Sequence, residues 1–232
     1  MNPFAEALEL LASGEVYLRE VILRSLAISG SALVLAVMVG LPVGTAVALS
    51  RLGRSRPVLA LLNTGLAFPP VVVGLFVYLA LSRSGPLAGL ELLYSAEAVV
   101  LAQAVLAAPY VAAITVGAVS SVPGDVRRQA RALGASRLQA LWLHLRECRT
   151  SLVAAVAAGF GAIISEVGAV LVVGGNVLGE TRVMTSTIVL EMRRGNFDVA
   201  VALGIVLLAV AFGVNLLLTL LRRGTVRRPW LS

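Results

Sequence analysis

The chain has 232 residues, of which 59% are hydrophobic and 13% are charged, whereas an ordinary soluble domain is about a quarter charged. This composition excludes a typical water-soluble protein. The formal charge of +7 could indicate a nucleic-acid partner, but the basic residues lie between apolar stretches without interleaved aromatic residues, so membrane topology explains them better. The single cysteine, Cys148, excludes an internal disulfide bond.

The first 24 residues alternate apolar and acidic positions, for example Phe4 and Leu8 against Glu6 and Glu9. Such alternation is typical of an amphipathic helix that lies on a membrane surface, so we expect 1–24 to be an amphipathic segment outside the cytoplasm and not a span.

Five apolar stretches are each long enough to cross a hydrocarbon core, which takes about 20 residues. They comprise 25–49, 57–81, 96–122, 151–173 and 199–221. A segment in lipid must satisfy its own backbone hydrogen bonds, so each is expected to be helical. The fold predicted from these stretches is an all-α polytopic membrane bundle of about five transmembrane helices, with the membrane domain at 25–222 and a cytoplasmic tail at 223–232.

Arginine supplies all 19 basic residues, and its distribution predicts the orientation. Thirteen arginines follow the first, third and fifth stretches, and six lie on the other side. Because positive residues concentrate on the cytoplasmic side, the amino terminus is predicted outside and the carboxyl terminus in the cytoplasm.

The second stretch contains Pro69 and Pro70 near its middle, after Asn63 and Thr64. Proline removes a backbone donor and breaks a helix, so this point could be a bend that opens a gate or a simple packing kink. In the first stretch, Gly40 and Gly44 have the small-xxx-small spacing of close helix packing.

The third connection, 121–150, is a polar cytoplasmic loop of nearly thirty residues. Asp125 could cap a short helix at 126–133, Gly134 allows a sharp turn, and a second helix should pass through Leu138 and Trp142. A helical hairpin with an exposed apolar and cationic face predicts a partner that holds it. His144 and Cys148 lie one turn apart, but we interpret them as bystanders because further metal ligands are not evident.

The sequence RRQARALGAS in this loop resembles the cytoplasmic coupling loop of ABC importer permeases, whose usual pattern is Glu-Ala-Ala, three residues and Gly. Here Arg128, Gln129 and Ala130 occupy the triplet and Gly134 the glycine position, so the second alanine and the glycine match. Further on, GFGAIISEVGAVLVVGGNVLGETRVMTSTIVLEM resembles permeases of the tungstate type, relatives of the molybdate and sulfate permeases. SLAISGSALVLAVMVGLPVG and LAFPPVVVGL extend the resemblance over nearly the whole chain.

This resemblance implies a type I ABC importer permease fold in the prokaryotic inner membrane. It implies a homodimer that carries two cytoplasmic ATPase subunits and receives substrate from an extracytoplasmic binding protein. The cofactors, ATP and Mg, would belong to the ATPase; this chain has no lysine with which to build a phosphate-binding Walker A loop, and no cofactor or catalysis is assigned to it. The resemblance assigns the coupling role to Arg128, Gln129, Ala130, Leu133, Gly134, Ala135, Ser136 and Leu138.

Glu166 lies within the fourth apolar stretch, where an ionised carboxylate facing lipid is costly. It could line the pathway, but a structural hydrogen bond is the better interpretation because a carboxylate repels an oxyanion. The neighbouring Ser165 is the better pathway candidate.

The outer loop at 174–198 adds the candidates Asn176, Arg182, Thr185 and Ser186. Hydroxyl and guanidinium groups can hold an oxyanion, although they could equally form a docking surface for a binding protein or a solvated helix at 183–194. We expect an importer permease for a tetrahedral oxyanion, tungstate or molybdate by resemblance. The alternatives are a permease for sulfate or phosphate, or an ATPase-independent channel or small secondary carrier.

Overall fold

The computed structural model describes residues 3–50 and 55–223, and these residues form an all-helical chain. The helices in chain order are α1 (Pro3–Ser13), α2 (Val16–Leu49), α3 (Arg56–Leu66), α4 (Pro70–Leu81), α5 (Ala96–Ser121), α6 (Asp125–Ala132), α7 (Arg137–Glu147), α8 (Arg149–Ile164), α9 (Gly168–Gly174), α10 (Met184–Arg194) and α11 (Phe197–Arg223), with a short 3₁₀ helix at Ala88–Leu90.

Helices α2, α5 and α11 are each long and apolar enough to cross a membrane. Two bent pairs, α3 with α4 and α7 with α8, raise the number of possible spans to five among the described residues. The polytopic helical bundle predicted from the sequence is therefore confirmed. Most of the predicted carboxyl-terminal tail lies outside the described residues.

Two predicted spans are interrupted. The second breaks between Leu66 and Pro70, where the proline pair predicted it. The fourth was expected to run unbroken through 151–173, and this is wrong, because α8 ends at Ile164 and α9 begins at Gly168. The break contains no proline, and Glu166 within it makes one local and one tertiary hydrogen bond, described below.

The amino-terminal segment divides between two helices. Its first part forms α1, and α2 starts at Val16, nine residues before the predicted span. Leu18 and Val21 are almost fully buried and Arg19 and Glu20 are exposed, so one face of this part of α2 packs within unit 1. The placement of 1–24 at a membrane surface stays a prediction.

By its internal contacts the chain forms two units. Unit 1 comprises Met1–Ala36, Phe68–Ala107 and Phe160–Gly213, and unit 2 comprises Val37–Ala67, Ala108–Gly159 and Val214–Ser232. In unit 2, α2 packs closely on α5, since a Cβ atom at Gly40 would lie 2.7 Å from Val111 Cβ and one at Gly44 would lie 2.6 Å from the Ala112 carbonyl oxygen. This confirms the packing interpretation of Gly40 and Gly44.

In unit 1, α4 packs on α9 with little space between their backbones. A Cβ atom at Gly74 would lie 2.6 Å from Ala169 Cα. Gln103 of α5 accepts a hydrogen bond from the Ser29 hydroxyl (3.2 Å) and donates one to the Ile163 carbonyl (3.1 Å). A buried amide thus links α2, α5 and α8, as polar side chains often do between membrane helices.

Candidate functional site

The coupling loop folds into a helical hairpin of α6 and α7, close to the sequence prediction. Gly134 has φ +91°, a conformation that favours glycine, and this residue ends the first helix. Ser136 begins the second by a capping box in which its hydroxyl accepts from the Gln139 amide (3.2 Å) and the Gln139 side chain accepts from the Ser136 amide (2.8 Å). The proposed cap at Asp125 is wrong, since Gly124 holds the cap position without a side-chain bond and Asp125 pairs with Arg128.

The hairpin is anchored within unit 2 by buried contacts of α7. His144 Nε2 lies 3.0 Å from the Val119 carbonyl oxygen of α5. Cys148 packs with Ala118 and Val119 in an apolar cluster. His144 and Cys148 are therefore structural anchors, and the described residues contain no cluster of three or more metal-ligating side chains.

The turn of the hairpin presents a large apolar surface. Leu133, Leu138 and Trp142 are 89%, 76% and 61% exposed, and we call these three residues the apex. Arg146 stacks over the Trp142 ring at 5.2 Å, so a cation borders the apolar patch. An exposed patch with this composition is typical of a protein-binding surface.

The predicted coupling residues occupy two environments. Ala130 is buried under the hairpin together with Ala140, and Ala135 is half-buried. The remaining coupling residues are exposed; these are Arg128, Gln129, Leu133, Gly134, Ser136 and Leu138.

Glu166 lies in unit 1 at the break between α8 and α9, and it is 8% exposed. Its Oε1 accepts a hydrogen bond from the Ala169 amide (2.9 Å), and its carbonyl oxygen accepts one from the Thr185 hydroxyl (2.7 Å). The carboxylate thereby satisfies a free amide in the first turn of α9. These contacts are the ones expected for a structural role.

Asn176 is hydrogen-bonded by Ser186 of α10 and by Arg182, which lies just before this helix. The Ser186 hydroxyl donates to Asn176 Oδ1 (2.9 Å), and Arg182 Nη2 donates to the Asn176 carbonyl (3.3 Å). Arg182 also reaches Tyr17 of α2, while its buried Nε has no partner among the described residues. Helix α10 was a possible solvated helix, and this is wrong for its first turn, where Thr185, Ser186 and Thr187 are buried.

Unit 1 therefore contains two separate hydrogen-bonded sets of these candidates, Glu166 with Thr185, and Asn176 with Arg182 and Ser186. Ser165 stays apart from them, exposed, with its hydroxyl on the Gly161 carbonyl at 3.1 Å. The other pathway candidates are also exposed: Asn63 and Thr64 at the end of α3 in unit 2, and Pro69 and Pro70 at the start of α4 in unit 1.

Sequence reasoning missed three polar residues whose side chains hydrogen-bond to backbone groups where helices break or meet. The Tyr110 hydroxyl donates to the Leu66 carbonyl (2.9 Å), which the proline pair leaves free, and Ser25 Oγ accepts from the Met184 amide (2.7 Å) at the start of α10. Gln103 is the third. The available signal was a lone polar side chain within an apolar stretch.

Residues 36–228 match the family of binding-protein-dependent transport system inner membrane components. The match covers most of the sequence. The chain belongs to this family. The permease is 43% identical to a probable anion ABC transporter permease of Haloferax volcanii, over 87% of this chain and 89% of that protein.

Two further relatives carry narrower names. The tungstate uptake system permease of Peptoclostridium acidaminophilum is 37% identical, with 91% of this chain and 93% of that protein covered. The molybdenum transport system permease of Mycobacterium tuberculosis is 32% identical over 82% of this chain and 74% of its own length. The chain thus spans most of the length of each.

Solved structures confirm the fold. The permease matches an inward-facing structure of the MetNI methionine ABC transporter with a TM-score of 0.74 and 20% identity, covering 91% of this chain and 97% of that one. An amino acid ABC transporter matches with a TM-score of 0.66 and 17% identity, covering 93% and 97%. The fold is that of type I ABC importer permeases.

Proposed function

We propose that this permease imports a tetrahedral oxyanion, tungstate or molybdate, by alternating access. A separate cytoplasmic ATPase drives the change, an extracytoplasmic binding protein delivers the substrate, and a second copy of the chain completes the pathway. The amino terminus lies outside and the coupling loop and carboxyl terminus lie in the cytoplasm. The observation that carries the proposal is the exposed apex of the α6–α7 hairpin in a chain of this family.

The apex supports docking of the ATPase because its leucines are exposed while the rest of the hairpin is anchored to α5. Burial of one such leucine stabilises a complex by about 1.5–3 kcal/mol. A carboxylate at the same position would instead be buried without a partner.

The test is capture of the ATPase subunit by the detergent-purified permease. Leu133→Glu and Leu138→Glu should each weaken capture by about tenfold or more. The matched control is Leu178→Glu, the same change at an exposed position of the outer loop. Ala130→Glu is a poorer probe, because Ala130 is buried and a carboxylate at this position would disrupt the hairpin itself. Equal capture by all variants would contradict the docking role.

The substrate class rests on the relatives, which are an anion permease, a tungstate permease and a molybdenum permease. Sulfate permeases are more distant, at 27–28% identity. We expect the binding protein that serves this permease to bind tungstate or molybdate more tightly than sulfate or phosphate. Isothermal titration with the four anions measures this. A preference for phosphate or sulfate would reject the substrate and leave the permease function intact.

Two exposed polar residues at the end of α3 support the proposal that a second copy of the chain, or a pathway beside it, covers this helix. Asn63 and Thr64 are polar and exposed although they belong to an apolar stretch of membrane length. A polar side chain is costly against lipid, so water or protein should cover both. Thr64 donates its hydroxyl to the Ala60 carbonyl (2.8 Å), so Asn63 is the better candidate of the two. Glu166, Thr185 and Ser186 are poorer pathway candidates because they are buried.

The rival is an ATPase-independent channel or carrier. Such a protein needs no docking element, and the apex argues against it. Oxyanion uptake into liposomes by the purified chain without ATPase and nucleotide would support the rival.

A further inference from the structure

A cavity of about 430 Å³ lies in unit 2 beside the α6–α7 hairpin and the end of α2. Four arginines surround it, and its other walls are small or apolar. The lining residues are Leu49, Gly124, Arg127, Arg128, Arg131, Arg137, Ala140 and Leu141. The cavity therefore combines a cationic rim with an apolar wall.

The positive charge of this cavity is only partly neutralised by the protein. Arg128 pairs with Asp125. In residues 3–50 and 55–223, no salt bridge reaches Arg127, Arg131 or Arg137, and the buried Nε of Arg127 has no hydrogen-bond partner there. Arginine charges arranged around one cavity repel one another, and a buried donor without an acceptor is costly. An anion with several acceptor oxygens would offset the repulsion between the arginines and accept a hydrogen bond from Arg127. Phosphate is suited to this role because its oxygens match the forked donors of a guanidinium group.

The position and the walls of the cavity indicate the source of that phosphate. Leu49 ends both α2 and the apolar stretch 25–49, whose helical length of about 37 Å exceeds the hydrocarbon core by only a few ångströms at each end. We therefore infer that this cavity lies near the level of the lipid headgroups. Leu49, Ala140 and Leu141 offer an apolar surface that inorganic phosphate could not use. A phospholipid supplies both parts, and basic pockets at the cytoplasmic ends of spans are suited to anionic headgroups.

We propose that the cavity binds the headgroup phosphate of an anionic phospholipid, with Arg127, Arg131 and Arg137 as its ligands. The bound lipid ties the α6–α7 hairpin to the membrane surface. Leu133, Leu138 and Trp142 do not line the cavity, so lipid binding leaves the apex open. The proposal depends on the membrane location of the chain and not on its substrate or its ATPase.

Native mass spectrometry of the full-length protein, purified with mixed phosphatidylglycerol and phosphatidylcholine, tests the site. The wild type should retain phosphatidylglycerol in preference. Arg131→Gln with Arg137→Gln should weaken retention by about fivefold for each arginine. Both side chains are exposed, so the fold should survive, and a circular dichroism melt checks this. The control is Arg146→Gln, which removes one arginine charge from α7 at a position outside the cavity. Its effect is compared with the effect per arginine in the double variant.

Three outcomes would overturn the proposal. Retention could fall equally in the Arg146→Gln control, which would mean unspecific attraction of lipid to a basic loop. Inorganic phosphate at constant ionic strength could displace the lipid and stabilise the lipid-free protein equally, which would make the cavity a free-anion site. The double variant could keep its lipid and lose capture of the ATPase subunit, which would assign the arginines to an acidic protein surface.

Discussion

Glu166 is buried at the break between α8 and α9, where its carboxylate and its carbonyl oxygen each accept a hydrogen bond. An acidic residue inside an apolar stretch had to face protein or water, and the structure buries it with its carboxylate on the Ala169 amide. Its second partner, Thr185, could not be predicted, because Thr185 lies 19 positions away and meets Glu166 only in the folded chain. The same holds for Gln103, whose two partners come from separate helices.

Substitution at Glu166 separates a capping role from a pathway role. Glu166→Gln keeps the Oε1 acceptor, so we expect near wild-type thermal stability and uptake. Glu166→Ala removes the acceptor and should destabilise the permease by about 1 kcal/mol. Thermal unfolding in detergent and uptake in vesicles measure the two effects.

The control for this pair is Glu180→Ala, which removes a carboxylate from an exposed position of the loop at 174–198. It should leave stability unchanged. A glutamine variant that is stable but inactive would assign the charge of Glu166 to transport instead.

The helix breaks differ in how visible they are in the sequence. Pro69 and Pro70 cannot continue a helix, so the end of α3 was predictable from local chemistry. The break at 165–167 has no such residue, and an apolar run of this length predicts one continuous helix. The break combines a local and a tertiary contact: the Glu166 carboxylate accepts from the Ala169 amide three positions on, and the Glu166 carbonyl accepts from Thr185. The short α9 also packs against α4.

Close packing of α4 on α9 predicts that even one methyl group is too large at Gly74. Gly74→Ala would place Cβ 2.6 Å from Ala169 Cα and 3.1 Å from Ala169 Cβ. Overpacking of this kind costs about 1–3 kcal/mol. The thermal unfolding midpoint of the purified permease should therefore fall.

A matched variant is Gly30→Ala in α2, where an added Cβ would have no neighbour within 4 Å. Alanine favours a helix over glycine by up to about 1 kcal/mol, so this variant should be as stable as the wild type or more so. Equal midpoints for both alanine variants would show that α4 and α9 can separate without cost.

At the scale of the whole molecule, composition and the length of the apolar stretches predicted the fold class without any motif. Apolar length predicted the polytopic helical fold, and the family match confirms a transport component of the inner membrane. The predicted loops also divide between the two units. Those predicted outside, at 82–95 and 174–198, belong to unit 1, whereas the predicted cytoplasmic loop at 121–150 belongs to unit 2. Orientation itself stays a prediction.

The orientation can be measured by labelling single cysteines with a membrane-impermeant thiol reagent. Cys148 is unsuitable because it is 4% exposed and would react slowly from either side. In a Cys148→Ala background, Leu178→Cys should be labelled in intact cells, since this side chain is exposed on the outer loop. Leu133→Cys at the apex should be labelled only after the membrane is permeabilised.

Labelling of both variants in permeabilised cells is the internal control. Both side chains are exposed, so burial should not slow the reaction of either cysteine with the reagent. The reverse pattern, with the apex reactive from outside, would place the α6–α7 hairpin beyond the reach of a cytoplasmic ATPase. It would also move the arginine-lined cavity to the opposite leaflet, where the proposed lipid site could persist although the docking role would not. The two proposals therefore respond differently to one measurement, and orientation is the first quantity to determine.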